Sequence, residues 1–237
     1  MNYKRLGFNV REKDVKINDI VKHSTILDYF QDIAGMQANE MHMGYRDVKD
    51  SYLWILLYIR FDVVSRLPHF GEEVDVITWP KPKGKLEYER EYEIRSKDNE
   101  LLITGISNWC LIDSKTRMIK RAELDYEGEM YPNTNYQAKS PRKLGLELGD
   151  VIDEYNYKVL MTDLDHNIHM NNARYLDIIY NMGNASDYKK LEIAYLHEAK
   201  LNEIINVKHF KDGIYDCYIG YVNGEKCFEV KIIYDEV

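Results

Sequence analysis

The sequence predicts an α+β protein of two tandem units, each a long helix wrapped by a curved antiparallel β-sheet. Two observations carry this prediction. A stretch with helical spacing of apolar residues is followed by several strand-like stretches, and the same order occurs twice in 237 residues. A chain of this length suits two domains of roughly 100 to 120 residues each. We expect an N-terminal domain at 1–125, an interdomain linker at 126–150 and a C-terminal domain at 151–237.

The first half begins with a short strand at 3–10 and a helix at 24–43. Apolar residues recur at helical spacing from Ile26 to Met41, and Ser24 or Thr25 is placed to cap the helix start. Gly44 is placed to end it. Runs of alternating or continuous apolar residues then predict strands at 52–65, 71–80, 85–96 and 100–113.

The second half repeats this order after a stretch rich in Gly, Pro, Asn and Ser, which is typical of a surface connection. A strand is predicted at 155–162 and a helix at 172–182. Further strands are predicted at 191–200, 203–210, 214–222 and 226–235.

An ungapped shift of 149 residues relates the two halves, and it aligns LDYF at 27–30 with LDII at 176–179. The same shift pairs Asp14 with Asp163, Asn18 with Asn167, Lys16 with Asp165 and Ile20 with His169. We interpret this as a duplicated unit whose second copy carries a polar set that the first lacks. One working site per chain is then expected.

Bulk properties narrow the function classes. The formal net charge of −8 argues against nucleic acid as a partner. The N-terminus has no apolar stretch typical of a signal peptide, and the strongest apolar run, LWILLYI at 53–59, is too short to span a bilayer. We expect a cytoplasmic protein that does not bind membranes. The three cysteines, Cys110, Cys217 and Cys227, lack metal-ligand spacing, and we interpret them as buried thiols.

The stretch DLDHNIHMNNARY at 163–175 concentrates reactive side chains. Asp165, Asn167 and His169 are spaced by two, which places them on one face if the segment is extended. They directly precede a predicted helix, for which Asn171 or Asn172 would be the N-cap, and free backbone N–H groups there favour developing negative charge. The pattern indicates a site able to stabilise an oxyanion.

Two other interpretations of this stretch remain open. His166 and His169 with Asp163 or Asp165 could ligate Zn²⁺ or Fe²⁺. The two histidines would point to opposite sides of an extended strand, however, and no HExxH or distant Cys pair supports a metal, so no metal or other cofactor is expected. The second alternative is a capping network without chemistry.

The same stretch resembles the signature D-x-N-x-H-x-N-N-x-x-Y of the acyl-acyl carrier protein thioesterases, enzymes built of two hot-dog units. The segment IAYLHEAK at 193–200 resembles that family's E-Y-x-x-E-C, with Glu198 at the catalytic carboxylate and Ala199 where Cys is common. Trp54 and the run from Pro68 to Trp79 resemble the family's N-terminal W-V-L…P-x-x-G-E-x-V-x-x-x-T-W segment. The resemblance covers nearly the whole chain.

The resemblance implies hydrolysis of fatty acyl thioesters on acyl carrier protein, which ends fatty acid synthesis, with Asp165, Asn167, His169 and Glu198 as catalytic residues. Glu198 on an apolar strand would be the general base, and His169 would orient it or the water. In a second version Asp165 activates the water, and direct attack by a carboxylate also stays open. A Cys nucleophile after Glu198 is excluded by Ala199.

The substrate would be bound by both halves. The acyl chain is expected in the N-terminal domain, and the rest of the motif is expected to contact the substrate. The predicted substrate-binding residues are Met36, Met41, Trp54, Ile55, Leu57, Asn171, Asn172 and Tyr175. For the apolar ones, plain core packing is the alternative.

The partner would be acyl carrier protein, docked by local basic clusters such as Lys115, Arg117, Lys120 and Arg121, for which a solvated face without a partner is the alternative. An acyl-CoA thioesterase is the nearest alternative, and the absence of a Gly-rich phosphate loop leans against it. A sensor that binds acyl thioesters without cleaving them is the alternative from another class, and a hot-dog dehydratase fits the motifs less well. Because one chain supplies both units, a monomer or a homodimer is expected.

Overall fold

A computed structural model describes residues 3–82, 84–121, 124, 126, 128, 143–183 and 187–234. The chain divides into two units, Met1–Ser140 and Pro141–Val237. Of the linker predicted at 126–150, most residues lie outside the described part. None of the described helices is long and apolar enough to cross a membrane.

The first unit is an antiparallel sheet packed against one long helix. Its elements in chain order are β1 (Lys4–Asn9), α1 (His23–Glu40), α2 (Tyr45–Val48), β2 (Tyr52–Val63), β3 (Glu73–Pro80), β4 (Glu87–Ser96), β5 (Leu101–Asp113) and β6 (Ile119–Lys120). The strand order is β1-β3-β4-β5-β2, with β6 added to β5, and every pair is antiparallel.

Helix α1 buries one face against this sheet. Phe30 is fully buried and stacks on Tyr92 of β4, with ring centroids 4.3 Å apart. A Cβ atom at Gly105 would lie 2.4 Å from the Phe30 ring, so only glycine lets the helix approach β5 this closely. The predicted helix is confirmed at 23–40, but it ends at Glu40. Gly44 does not terminate α1, because it is the N-cap of α2, where its N–H donates to the Asp47 carboxylate.

The second unit has the same architecture with a shorter helix. Its elements are β7 (Val151–Lys158), α3 (Arg174–Asn181), β8 (Lys190–Tyr195), β9 (Ile204–Asp212), β10 (Tyr215–Val222) and β11 (Glu225–Ile233). The strand order is β8-β11-β10-β9-β7, again antiparallel throughout. Only eight residues are helical in α3, and left-handed Gly183 follows its end, so the long helix expected in both units occurs only in the first.

Two strands of the second unit have bounds that differ from the predicted ones. The strand predicted at 155–162 is β7, which begins and ends four residues earlier, because Met161–Asp163 forms a 3-10 turn stabilised by the Asp163 carboxylate. The strand predicted at 191–200 ends at Tyr195. Glu198 therefore lies in a loop after β8, and the apolar strand environment predicted for it is absent.

The segment at 143–148 is attached to the second sheet by a buried carboxylate. Glu229 of β11 is 1% exposed and accepts hydrogen bonds from the backbone N–H groups of Leu144 and Gly145 at 3.0 and 2.9 Å. Lys226 Nζ donates to Glu229 at 2.9 Å and to the Leu146 carbonyl at 2.6 Å. These bonds satisfy a charge that would be costly to bury alone.

The internal repeat extends to individual backbone hydrogen bonds. Both halves contain a turn in which a 3-10 helix, Glu12–Asp14 or Met161–Asp163, leads into a short antiparallel bridge, Val15 with Val21 or Leu164 with Met170. Corresponding N–H···O bonds, first half then second, are Lys16–Ile20 and Asp165–His169 (both 2.8 Å), Asp19–Lys16 and Ile168–Asp165 (both 3.1 Å), and Val21–Pro68 and Met170–Ala199 (both 2.9 Å). The 149-residue shift therefore relates two copies of one backbone frame.

Candidate active site

A closed turn carries most of the predicted catalytic residues. Asp165 N–H donates to the His169 carbonyl at 2.8 Å, and Ile168 N–H donates to the Asp165 carbonyl at 3.1 Å. Ile168 at its tip has a φ of +65°. The prediction that Asp165, Asn167 and His169 share one face of an extended segment is therefore wrong. The Asp165 side chain folds the segment by bonding to amides further along, as Asp does in Asx turns.

The side-chain carboxylate of Asp165 stabilises this turn. Its Oδ1 accepts the N–H of Asn167 at 2.8 Å and the N–H of His169 at 3.3 Å. One carboxylate oxygen thus carries two backbone hydrogen bonds. These two bonds fix the backbone positions from which the side chains of Asn167 and His169 extend.

His169 and Glu198 form the second part of the site. Nε2 of His169 lies 3.4 Å from Oε2 of Glu198, and the two side chains are 17% and 31% exposed. The contact comes from distant parts of the chain, because His169 pairs with Lys200 in a short antiparallel bridge. Nδ1 of His169 is buried and has no hydrogen-bond partner among the described residues. The Nε2 edge of the imidazole ring therefore faces Glu198, while the Nδ1 edge is buried.

The remaining motif residues make contacts within the second unit. Asn171 Oδ1 accepts the Ala173 N–H at 2.9 Å, and Ala173 is the N-cap of α3, so neither asparagine occupies the predicted cap position. The Asn172 carbonyl accepts the Tyr195 hydroxyl at 2.8 Å. The buried Tyr175 hydroxyl accepts the Ala199 N–H at 3.2 Å. Their predicted contact with substrate stays a prediction.

Comparison with known families decides the classification. Residues 2–130 match the family model described as Acyl-ACP thioesterase N-terminal domain, and residues 147–236 match the one described as Acyl-ACP thioesterase C-terminal domain. The chain belongs to the acyl-ACP thioesterase family. The resemblance inferred from the motifs is thereby confirmed.

The sequence relatives are plant proteins of larger size. The chain is 25% identical over 185 residues to a palmitoyl-acyl carrier protein thioesterase of Gossypium hirsutum, which covers 72% of this chain and 44% of the relative. It is 22% identical over 217 residues to an oleoyl-acyl carrier protein thioesterase of Coriandrum sativum, covering 84% and 56%. The chain thus spans about half the length of these chloroplastic relatives.

Solved structures agree along the whole chain. An acyl-ACP thioesterase from Bacteroides thetaiotaomicron superposes with a TM-score of 0.85 at 19% identity, covering 99% of this chain and 98% of that one. A 12:0-ACP thioesterase from Umbellularia californica gives a TM-score of 0.82 at 16% identity, covering 99% and 98%. The predicted fold of two tandem hot-dog units is confirmed, with the shorter second helix noted above.

The first unit of this family member brings together only part of the predicted acyl-binding set. Met41 and Trp54 pack against one cluster formed by Met43, Tyr88, Leu111 and Tyr126. Trp54 also donates from Nε1 to the Met43 carbonyl at 2.8 Å. Met36 is 43% exposed, and Ile55 and Leu57 are half-buried on β2 outside this cluster, because neighbouring strand residues alternate between faces. Acyl binding by these residues stays a prediction.

Thiol and metal chemistry have no visible basis in the described residues. All three cysteines are buried. Burial raises the pKa of Cys217 to about 11 and that of Cys227 to about 12, so both thiols are protonated at neutral pH. No group of three or more His, Cys, Asp or Glu side chains within the described ranges could hold a metal ion.

Sequence reasoning missed a buried cation in the first unit. Arg90 on β4 is 9% exposed and donates to the Gln37 side-chain oxygen of α1 and to Thr78 Oγ1. Burial lowers the pKa of Arg90 from its ordinary value. The alternation of Tyr88, Arg90 and Tyr92 along β4 was the available signal, because it places the arginine on the tyrosine face.

Proposed function

We propose that this chain hydrolyses the thioester of fatty acyl-acyl carrier protein and releases free fatty acid, which ends fatty acid synthesis. One observation carries the proposal. His169 faces Glu198 through Nε2, and its buried Nδ1 has no partner among the described residues. A carboxylate against an imidazole, with an amide side chain on the same turn as that imidazole, are the groups that thioester hydrolysis needs. Membership of the acyl-ACP thioesterase family supports the choice of substrate.

The proposed mechanism uses Glu198 as the general base. Glu198 takes a proton from a water molecule while the water oxygen attacks the carbonyl carbon of the thioester. The tetrahedral intermediate then collapses, the carbon–sulfur bond breaks, and the leaving thiolate takes the proton from Glu198. His169 orients the carboxylate, and the Asn167 side chain donates to the carbonyl oxygen as negative charge develops.

Asp165 acts as the organiser of the turn in this mechanism. The two backbone bonds to its Oδ1 support that assignment over the version in which Asp165 activates water. Nucleophilic attack by a thiol is not part of the proposal, because fully buried Ala199 follows Glu198 and Cys217 and Cys227 stay protonated. Acyl carrier protein is the proposed partner, and the chain is proposed to act in the cytoplasm as a monomer or homodimer.

The decisive experiment separates the two carboxylates with isosteric amides. Fatty acid release is measured from a ladder of acyl-acyl carrier proteins and matched acyl-CoAs. Glu198→Gln should lower kcat by roughly 10³-fold or more, because it removes the base. Asp165→Asn keeps an Oδ1 acceptor for the turn and should lower kcat by roughly tenfold or less. Glu147→Gln, which removes an exposed carboxylate of the second unit, is the matched control and should stay within about twofold of wild type.

Three outcomes would overturn parts of the proposal. Retained activity in Glu198→Gln with a large loss in Asp165→Asn would transfer the base to Asp165. Faster turnover of acyl-CoA than of the carrier-protein substrates would favour the CoA thioesterase. Tight binding of acyl thioesters by wild type without any fatty acid release would reject hydrolysis and support the sensor.

A further inference from the structure

The loop after β8 is held from both sides at one residue. The Ala199 N–H donates to the Tyr175 hydroxyl at 3.2 Å, and the Ala199 carbonyl accepts the Met170 N–H at 2.9 Å. Met170 directly follows His169, and Ala199 directly follows Glu198. The two bonds to Ala199 therefore fix the backbone next to both members of the His169–Glu198 pair.

Tyr175 is itself held rigidly. It is 2% exposed, and its ring makes edge contacts with Phe228 and Tyr195 at centroid distances of 5.1 and 5.5 Å. Burial raises the pKa of Tyr175 well above its ordinary value, so the hydroxyl stays neutral at any working pH. A neutral, immobile hydroxyl is suited to fixing a backbone amide.

The first unit provides an internal comparison. Val21 bonds to the Pro68 carbonyl there as Met170 bonds to the Ala199 carbonyl, so Pro68 corresponds to Ala199. The 149-residue shift places Ile26, which is fully buried, where Tyr175 stands. Isoleucine has no hydroxyl and proline has no amide hydrogen. The same backbone frame therefore forms in the first unit without this hydrogen bond.

The backbone frame does not require the Tyr175 hydroxyl, so the burial of this polar group needs another explanation. Burying a polar group costs free energy that a hydrogen bond only offsets, whereas the isoleucine of the first unit avoids that cost. The hydroxyl occurs in the unit that carries Asp165, His169 and Glu198, where the first unit has Lys16, Ile20 and Leu67. Its presence thus goes together with the candidate site rather than with the fold.

We propose that Tyr175 is a positioning residue, whose hydroxyl holds the Ala199 amide and thereby keeps Glu198 against His169. This inference rests on the proposed function, because it assigns a purpose within that reaction. It replaces the predicted contact of Tyr175 with substrate by an action through the backbone.

The first test needs no substrate. Tyr175→Phe removes the hydroxyl and keeps the ring. Amide hydrogen exchange followed by NMR should then speed up about tenfold at Ala199, while amides of the central strands β10 and β11 keep their rates. Tyr29→Phe is the matched control, since Tyr29 is also 2% exposed and its hydroxyl bonds to Asp14 in the first unit. Unchanged exchange at Ala199 in Tyr175→Phe would overturn the inference.

The second test measures turnover. Tyr175→Phe should lower kcat about tenfold and leave KM within about twofold, because substrate binding is retained while the base is displaced. In a chain that already carries Ala199→Pro, which removes the amide hydrogen as Pro68 does in the first unit, adding Tyr175→Phe should cause no further loss. An equal loss in both backgrounds would mean that Tyr175 acts on the substrate directly, which would overturn the positioning role. A wild-type chain that hydrolyses no thioester would reject the proposed function, and the exchange result would still decide the contact.

Discussion

At the scale of single residues, the backbone of Ile168 stands out. Its φ of +65° lies in the left-handed region, which β-branched residues strongly avoid, and its side chain is 69% exposed. The corresponding residue of the first unit, Asp19, has a φ of 62°, and Asp tolerates this conformation. Neither burial nor backbone preference therefore accounts for isoleucine at the tip of the site turn, next to Asn167 and His169.

Replacing Ile168 with Asn should make the protein more stable. The left-handed conformation costs a β-branched residue about 1 to 2 kcal/mol, and little buried surface is lost at this exposed position. We expect the midpoint of thermal unfolding to rise by about 2 to 4 °C.

Ile214→Asn is the control for that substitution, because Ile214 is 64% exposed in a turn without a positive φ. It should give no such gain. A fall in stability for Ile168→Asn would show that the isoleucine side chain contributes packing that outweighs the backbone strain.

At the scale of elements, the connection from β2 to β3 is closed by an ion pair. Arg66 donates from both terminal nitrogens to Glu72, at 2.9 and 2.7 Å, and the His69 N–H donates to the same carboxylate at 3.0 Å. The Arg66 hydrogen bonds, which outweigh partial burial, hold the pKa of Glu72 below its ordinary value of 4.5. Because the folded pKa is depressed, the ionised carboxylate stabilises the fold above the unfolded pKa, and this contribution is lost as the pH falls through the folded value.

Glu72→Gln should therefore destabilise the protein by roughly 1 kcal/mol at pH 7. The difference in free energy of unfolding between wild type and Glu72→Gln should narrow as the pH falls below about 4.5. Denaturant unfolding at a series of pH values measures this, with the exposed Glu12→Gln as control. A gap that stays constant down to pH 3 would contradict the assigned ion pair.

The elements themselves were largely predictable, and the misses have local causes. Apolar runs or alternation identified β2 to β5 and β9 to β11, because each of these strands buries at least one face. The four-residue helix α2 and the two-residue strand β6 are too short to show a period. The range predicted for β7 was four residues too late. Most of its side chains are exposed, so no apolar pattern marks where the strand begins and ends.

At the scale of the whole molecule, the family motifs identified the candidate site better than local patterns did. Spacing suggested an extended segment, whereas the turn at Asp165 depends on hydrogen bonds from amides two and four residues further on. The approach of Glu198 to His169 depends on a long-range bridge, which residue spacing does not reveal. The motif resemblance supplied both residues without supplying their geometry.

The charge distribution gives a prediction about the carrier. Although the net charge is −8, a hairpin of the first unit exposes Lys115, Arg117, Lys120 and Arg121 together with Met118 and Ile119. The carboxylate of Asp113, at the base of this hairpin, accepts hydrogen bonds from the N–H groups of Lys115 and Thr116. Such a surface suits an acidic protein that also offers apolar contacts.

Reversing two charges on that hairpin should selectively weaken the binding of carrier-protein substrates. Under the proposed function, Lys115→Glu combined with Lys120→Glu should raise KM for acyl-acyl carrier protein by roughly tenfold, with kcat and the KM for acyl-CoA little changed. Lys13→Glu with Lys49→Glu, two exposed lysines elsewhere in the same unit, changes the net charge equally and is the control. Equal effects of the two double variants would reject docking through the hairpin.

The repeated backbone frame also has an evolutionary consequence. If the two frames arose by duplication, selection for chemistry needs to act on only one copy, and the other can accumulate different side chains. The segment 16–20 should therefore tolerate substitution more widely than 165–169 when random variants are selected for activity. The present-day contrast between Lys16 and Asp165, on turns with the same hydrogen bonds, would then be the record of that division of labour.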